Sequence, residues 1–229
     1  MAACKAAQVY TGAETGIGTL GERLIHRTLK YYFEPRPDCH EAAVGGYVAD
    51  IVGKDGIIEI QTGSFRKMER KLAAFLEVTN VTVVHPIITK KTIIKVDGDT
   101  GERLSRRVSP KRRSVWDTFF ELCAIRSALG NPRLRVCVCL LEAEEIRAGK
   151  RKISYPTALL SQTWLCAPAD YAAFIPEGLP ENGFTSADFA SKASIRRDQA
   201  QSALPVLCAA GVCERVGKAG NSYIYKILV

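Results

Sequence analysis

The stretch Tyr47-Val-Ala-Asp50-Ile-Val-Gly-Lys-Asp-Gly-Ile-Ile-Glu59-Ile-Gln61 constrains this chain more than any other. Two apolar-rich runs flank Gly53-Lys54-Asp55-Gly56, a turn by composition. Folding about the Lys54–Asp55 midpoint sets Val52 against Ile57, Ile51 against Ile58 and Asp50 against Glu59. The pleat then puts Gln61 on the same face as Glu59. Cross-strand neighbours of this kind have Cβ atoms about 4.5–5.5 Å apart, and like charges so placed destabilise a sheet. The apolar neighbours Val48, Ile51, Ile57, Ile58 and Ile60 make desolvation of the two carboxylates worse. A hard divalent cation resolves both problems, since Mg²⁺ is commonly held by one or two carboxylates together with phosphate oxygens. Asp55 lies in the turn and reads as a turn residue.

The surrounding pattern predicts an α/β core with a mixed sheet. Apolar periodicity predicts helices over residues 18–33, 64–77 and 114–129. Strands are expected over 39–44, 47–52, 57–61, 81–84, 87–96, 104–108 and 134–141. Residues 97–101, Asp-Gly-Asp-Thr-Gly, form the turn of a hairpin. From 153 to 182 the pattern degrades around Pro156, Pro168, Pro176 and Pro180, and irregular structure is expected. The resulting division is a first domain over 1–165, a linker over 166–182 and a second domain over 183–229.

Several classes are excluded early. Hydrophobic residues make up 47% of the 229 positions, enough for a core. No apolar run approaches the ~18–20 residues of a membrane span. Residues 1–11 lack the apolar segment of a secretory signal, so a cytoplasmic protein is expected. None of the eight cysteines forms a CxxC pair, and most sit in apolar stretches. They read as buried thiols rather than zinc ligands or a disulfide framework.

Charge is uneven. Residues 1–85 carry ten basic and ten acidic side chains, whereas 86–116 carry nine basic and three acidic ones. The nine are Lys90, Lys91, Lys95, Arg103, Arg106, Arg107, Lys111, Arg112 and Arg113. A smaller basic excess lies beyond residue 183. Phosphate neutralisation by Lys and Arg dominates nucleic-acid affinity, so a polyanion partner is the natural expectation.

The order of acids resembles the PD-(D/E)xK phosphodiesterase superfamily, the restriction-endonuclease-like fold. Asp50 matches its first acid, and Glu59-Ile60-Gln61 matches the tripeptide with Gln in place of Lys. Glu22, in Gly18-Thr-Leu-Gly-Glu22, matches a Glu often supplied by the first helix. The resemblance covers roughly residues 16–85. It implies Mg²⁺, with Mn²⁺ as a substitute, held by Asp50 and Glu59, and Glu22 touching the metal or its water. The missing Lys leaves alternatives open. Gln61 orients the water, or Lys67 or Lys71 of the following helix substitutes, or the site binds without cutting. His26, His40 and His85 read as packed or surface histidines.

Residues 184–229 are similar to a winged helix-turn-helix domain. Thr185 and Asp188 form a capping box, with Phe184 and Phe189 as its hydrophobic staple. A second helix over 194–210 and two alternating strands about a Gly-rich turn follow. Pro205 is expected to kink or split that helix. In such domains the second helix enters the major groove, which makes Ser194, Arg196, Arg197, Gln199 and Gln201 the reading set. Lys218 and Asn221 of the wing would meet phosphate or the minor groove.

The expectation is therefore a Mg²⁺-dependent endonuclease acting on double-stranded DNA. The basic hairpin, with Lys90, Lys91, Arg106, Arg107, Lys111, Arg112 and Arg113, would grip the backbone. Cutting both strands with one site per chain would favour a homodimer. A catalytically degenerate DNA-binding regulator and an RNA nuclease are the alternatives.

Overall fold

The computed structural model describes residues 20–228, and side chains from residue 24 to 228. The chain forms two compact units. The first gathers the chain up to Gly63, Thr82–Val115 and Cys137–Thr163. The second gathers Ser64–Val81, Trp116–Val136 and Trp164–Val229. No helix among the described residues is long and apolar enough to cross a membrane.

The first unit is a mixed sheet with one helix against it. Strands β1 (His40–Val44), β2 (Tyr47–Gly53) and β3 (Gly56–Ile60) form an antiparallel meander. β4 (Val81–Val96) follows, with β5 (Arg103–Val108) antiparallel to its far half. β6 (Leu134–Ala148) and β7 (Arg151–Leu165) complete the order β1-β2-β3-β4-β6-β7. Thr89 bonds to Leu141 and Lys90 to Glu142 at the same sequence offset of 52, the signature of parallel neighbours β4 and β6. Helix α1 (Leu20–Phe33) sets Ile25 and Leu29 into a core of Ile51, Ile60, Val84, Cys137, Cys139 and Leu141. The expected helix start at residue 18 lies outside the described residues.

In the second unit a 3-10 turn (Phe65–Met68) leads into α2 (Glu69–Val78). Beyond the strands come α3 (Thr118–Leu122), a 3-10 segment (Cys123–Ala128) and α4 (Pro168–Ala172). The last part holds α5 (Ser186–Lys192), α6 (Arg197–Ala209) and the ribbon β8 (Cys213–Ala219) with β9 (Ser222–Ile227). Its core is aromatic: the Trp116 ring lies 5.5 Å from Phe119, 5.1 Å from Phe174 and 6.0 Å from Phe189. Thr185 caps α5, its Oγ1 accepting from the amides of Ala187 and Asp188, as the capping box requires.

Several elements differ from expectation. The strands over 81–84 and 87–96 are one, running through the buried Pro86. The helix over 114–129 is a run of short pieces, Val115–Asp117, Thr118–Leu122 and Cys123–Ala128, and Ile125 within the last departs from helical geometry (φ −114°, ψ 17°). Residues 153–165, expected to be irregular, belong to β7. That strand ends the sheet order, where a proline such as Pro156 can sit without costing an interior ladder bond. Residues 168–172, in the expected linker, are helical. Cys166 is exposed rather than buried. Helix α6 starts at Arg197, not Ser194, and runs unbroken through Pro205. Its core residues Leu204, Val206 and Leu207 flank the proline and are fully buried, which offsets the lost backbone bond.

Gly183 precedes the bridge from Phe184 to Tyr225 and holds φ at +120°. A Cβ there would lie 2.5 Å from Ile224 Cγ2. Gly183→Ala should cost about 1–3 kcal/mol in urea unfolding, through strain and clash together. Gly98→Ala, at a turn where a Cβ would meet nothing within 4 Å, should change stability by less than about 0.5 kcal/mol.

Candidate functional site

The β2–β3 register is Val52 opposite Ile57 and Ile51 opposite Ile58, as the sequence predicts. One step further the carboxylates take over from the ladder. The Asp50 amide donates to Glu59 Oε1 at 3.0 Å, and the Ile60 amide donates to Asp50 Oδ2 at 2.8 Å. Each carboxylate thus crosses to a backbone N–H of the opposite strand. Charge-assisted bonds of this kind are roughly twice as strong as neutral ones. They hold two acids side by side in a sheet where Glu59 is only 4% exposed. The opposed charges therefore have local protein partners in addition to any cation.

A third group joins them. His26 Nε2 lies 3.1 Å from Asp50 Oδ2. α1 carries His26 there because its neighbours Ile25 and Leu29 are buried against Ile51 and Ile60. The sequence reading passed over His26 as packed or superficial. The available signal was its place one helical turn after Glu22, on a helix with an apolar stripe. Glu22 itself lies in the first turn of α1, and its side chain is outside the described residues.

Gln61 follows β3 directly. Its amide donates to the Val84 carbonyl at 2.9 Å. In a parallel ladder the bond back to the Gln61 carbonyl would come from residue 86. Residue 86 is proline and has no N–H to give. The buried His85 imidazole takes that place, with Nδ1 2.9 Å from Gln61 O. A carbonyl can only accept, so Nδ1 carries the proton. The sequence reading missed this role too. The signal was a histidine immediately before a proline inside an apolar strand.

Lys67 and Lys71 lie on the helical segment that follows the hairpin. Both belong to the second unit, on the 3-10 turn and on α2, whereas Asp50, Glu59 and Gln61 belong to the first. Lys67 is exposed, and Lys71 Nζ lies 5.5 Å from the Phe75 ring centroid. Among the described residues no group of three or more His, Cys, Asp and Glu is arranged to hold a metal. At the hairpin the two carboxylates and the imidazole are joined by hydrogen bonds, to backbone amides and from His26 to Asp50.

The basic segment divides in two. Lys90 pairs with Glu142 at 3.1 Å, Arg106 with Glu144 at 3.3 Å and Lys91 with the buried Glu145 at 3.0 Å. These acids all lie on β6, which the charge count alone did not connect to the basic hairpin. Lys95, Arg103, Arg107, Lys111 and Arg113 make no ion pair among the described residues. Arg112 donates to the carbonyls of Ser109 and Lys111. β5 is exposed along its whole length.

In the second unit, Gln199 is a correction. It is only 5% exposed, and its Oε1 accepts the Arg196 amide at 3.1 Å. A helix N-terminus leaves amides unpaired, and Gln199 satisfies one, so it is not presented on the surface. Arg196 is exposed, but its Nε lies 3.0 Å from Asp198 and its Nη2 3.8 Å from Asp117. Ser194, in the turn at φ +53°, Arg197 and Gln201 are exposed. On the ribbon, Arg215 and Lys218 both lie over the Tyr223 ring, at 4.1 and 4.8 Å from its centroid.

The chain belongs to the family described as a domain of unknown function (DUF8091), which matches residues 23–157. An uncharacterized protein of Treponema pallidum (strain Nichols) is 33% identical over 137 residues, 59% of this chain and 54% of that protein. The chain thus spans about half the length of this curated relative. No solved structure matches. The matched segment contains His26, Asp50, Glu59, Gln61, His85 and the basic hairpin, and ends before α5, α6 and their ribbon.

Two stability measurements test this geometry. Glu59→Ala should cost about 1–3 kcal/mol in urea unfolding, because it removes the carboxylate that accepts from the half-buried Asp50 amide. Glu59→Gln keeps an acceptor and should cost clearly less. The second concerns Glu145. Burial pushes its carboxyl up, but bonds from Lys91 and Arg147 more than reverse this, and the net shift is downward. A lowered folded value adds stability above the unfolded pKa of about 4.3. The excess stability of wild type over Glu145→Gln should therefore be full at neutral pH. It should disappear as pH falls through the lowered folded value.

Proposed function

We propose that this chain is a metal-dependent nuclease that hydrolyses phosphodiester bonds, with double-stranded DNA as its substrate. The observation that carries the reading is the Asp50–Glu59 pair, locked across the end of a hairpin with His26 on Asp50. Proteins rarely bury acids side by side without a use for their joint charge. The helix, hairpin, helix and strand order agrees with a restriction-endonuclease-like domain. The capped helix α5, the turn at Ser194, helix α6 and the β8–β9 ribbon agree with a winged helix.

In this reading Asp50 and Glu59 hold Mg²⁺, or Mn²⁺ in its place, with Glu22 as a further acidic contributor. The cation supplies charge stabilisation at the scissile phosphate and lowers the pKa of water. The chain's own groups set the geometry. The Ile60 and Asp50 amides fix the two carboxylates, and His26 orients Asp50. His85 fixes the Gln61 backbone, so that its amide side chain can orient an attacking water. Arg103 and Arg107 on the exposed β5 grip the phosphate backbone, which fixes register without reading sequence. Ser194, Arg197 and Gln201, together with Lys218, form the revised reading set for base edges and the wing. Two copies would be needed to cut both strands at once.

The Gln at position 61, where the resembling family carries Lys, favours a second reading: a DNA-binding regulator that holds but does not cut. Calorimetric titration of Mg²⁺ or Mn²⁺ into the free protein, followed by a plasmid-nicking assay, separates the two. Asp50→Asn and Glu59→Gln should each reduce nicking at least about a hundredfold, in keeping with losses at groups acting on transition-state charge. Both should leave DNA binding within a few-fold of wild type. Nicking by either variant at the wild-type rate would remove the site assignment, and metal binding without nicking would select the regulator.

A further inference from the structure

Four cations, two of them held by one β6 acid and two without an ion pair among the described residues, meet at one place. Lys91, Lys111, Arg113 and Arg147 line one cavity of about 210 Å³, together with Ser109, within the first unit. Ile88 and Ile93 of β4 supply its apolar wall. Two of the four cations are fixed by a buried group. Glu145, 4% exposed, accepts from Lys91 Nζ at 3.0 Å on Oε2, and from Arg147 Nε at 2.6 Å on Oε1. Ser154 Oγ adds a bond to Oε2 at 3.2 Å. The other two cations ride on the segment after β5. That segment is tied to β4 by the Ser109 amide, which donates to the Lys91 carbonyl at 2.7 Å, and internally by the Lys111 amide on Ser109 Oγ.

Four cations and one carboxylate leave a concave site with a large positive excess and a preset arrangement. A phosphodiester carries a single charge and a substituent on each side. A phosphomonoester carries about −1.5 to −2 at neutral pH and three terminal oxygens. A concave site with this charge excess matches the second better than the first. Arg and Lys donors around a phosphate make short charge-assisted bonds, and their prior ordering lowers the cost of binding.

We propose that this cavity binds the dianionic phosphate of a phosphomonoester. The group could be carried by a nucleic-acid end or by a free mononucleotide, and the chemistry is the same for both. The site stands apart from Asp50 and Glu59 in its residues, so it is testable whether or not those acids cut.

The full-length protein is titrated in EDTA, so that no cleavage intrudes. Anisotropy compares internally labelled oligonucleotide duplexes bearing a 5′-phosphate, a 5′-hydroxyl or a 3′-phosphate. Calorimetry measures a nucleoside 5′-monophosphate and the parent nucleoside. A phosphorylated end should bind at least about tenfold tighter than the hydroxyl end, that is about 1.4 kcal/mol. The double variant Lys111→Ala/Arg113→Ala, at two exposed positions, should erase that difference. Heat from the monophosphate, but not from the nucleoside, identifies a free nucleotide as a ligand. Preference among the duplexes without such heat identifies the nucleic-acid end. Equal affinity for phosphorylated and hydroxyl ends, together with no heat from the monophosphate, overturns the proposal. So does a preference that survives in the double variant. Neither outcome touches the nicking result for Asp50 and Glu59, so the two readings fail separately.

Discussion

The crossing bonds at Asp50 and Glu59 are the interaction on which the first unit depends. A hairpin ladder would continue backbone to backbone, but here each side chain reaches the amide of the opposite strand. The substitution has a structural cost and a structural gain. It places two acids in a poorly solvated sheet, and it fixes both carboxylates through bonds whose donors cannot rotate away. The same economy appears two residues on. Pro86 interrupts the ladder of β4, and the His85 imidazole restores a donor to the Gln61 carbonyl. In both places a side chain stands in for the main chain, and in both a polar group is held in one orientation.

The hairpin was legible in the sequence because its period-two pattern and its Gly-rich turn agree on a single register. A slip of one residue would turn every apolar side chain to the other face. The same reasoning placed α1, α5 and the β8–β9 ribbon. It missed β7 because most of that strand is exposed or half-buried and Pro156 resembles a breaker. Edge position, not composition, makes the proline tolerable. It split β4 for the same reason at Pro86, where burial rather than exposure is the context. The site residues fared similarly. Asp50 and Glu59 could be paired from local spacing alone, but the link between His26 and Asp50 spans 24 residues, and no local pattern encodes it. Gln199 was misread because capping and base reading call for the same amide, and only burial tells them apart.

Charge shows a comparable division. The sequence puts nine cations in residues 86–116, and a count treats them as equivalent. The fold does not. Glu142, Glu144 and Glu145, close together on β6, meet Lys90, Arg106 and Lys91 respectively. The two exposed pairs, at Lys90 and Arg106, add little to stability, with a median of about 0–1 kcal/mol for such pairs. Their effect here is on arrangement: they fix some cations and leave Lys95, Arg103 and Arg107 to the solvent. Arg147, outside the basic segment, joins the group only through its contact with Glu145.

The interleaving of the two units bears on how the chain is made. The strands of the first unit are separated by Ser64–Val81 and Trp116–Val136, which belong to the second. During synthesis, domains ordinarily fold as they emerge, the N-terminal one first. This chain offers no such sequence. β1, β2 and β3 leave the ribosome long before β6 and β7 exist to complete their sheet, and Phe119 and Leu122 wait for the buried face of α6. Nascent chains of this protein therefore carry two unfinished cores at once until Thr163 has been translated, and the second core waits for α6 and the residues after it. The need for a chaperone would fall in that interval.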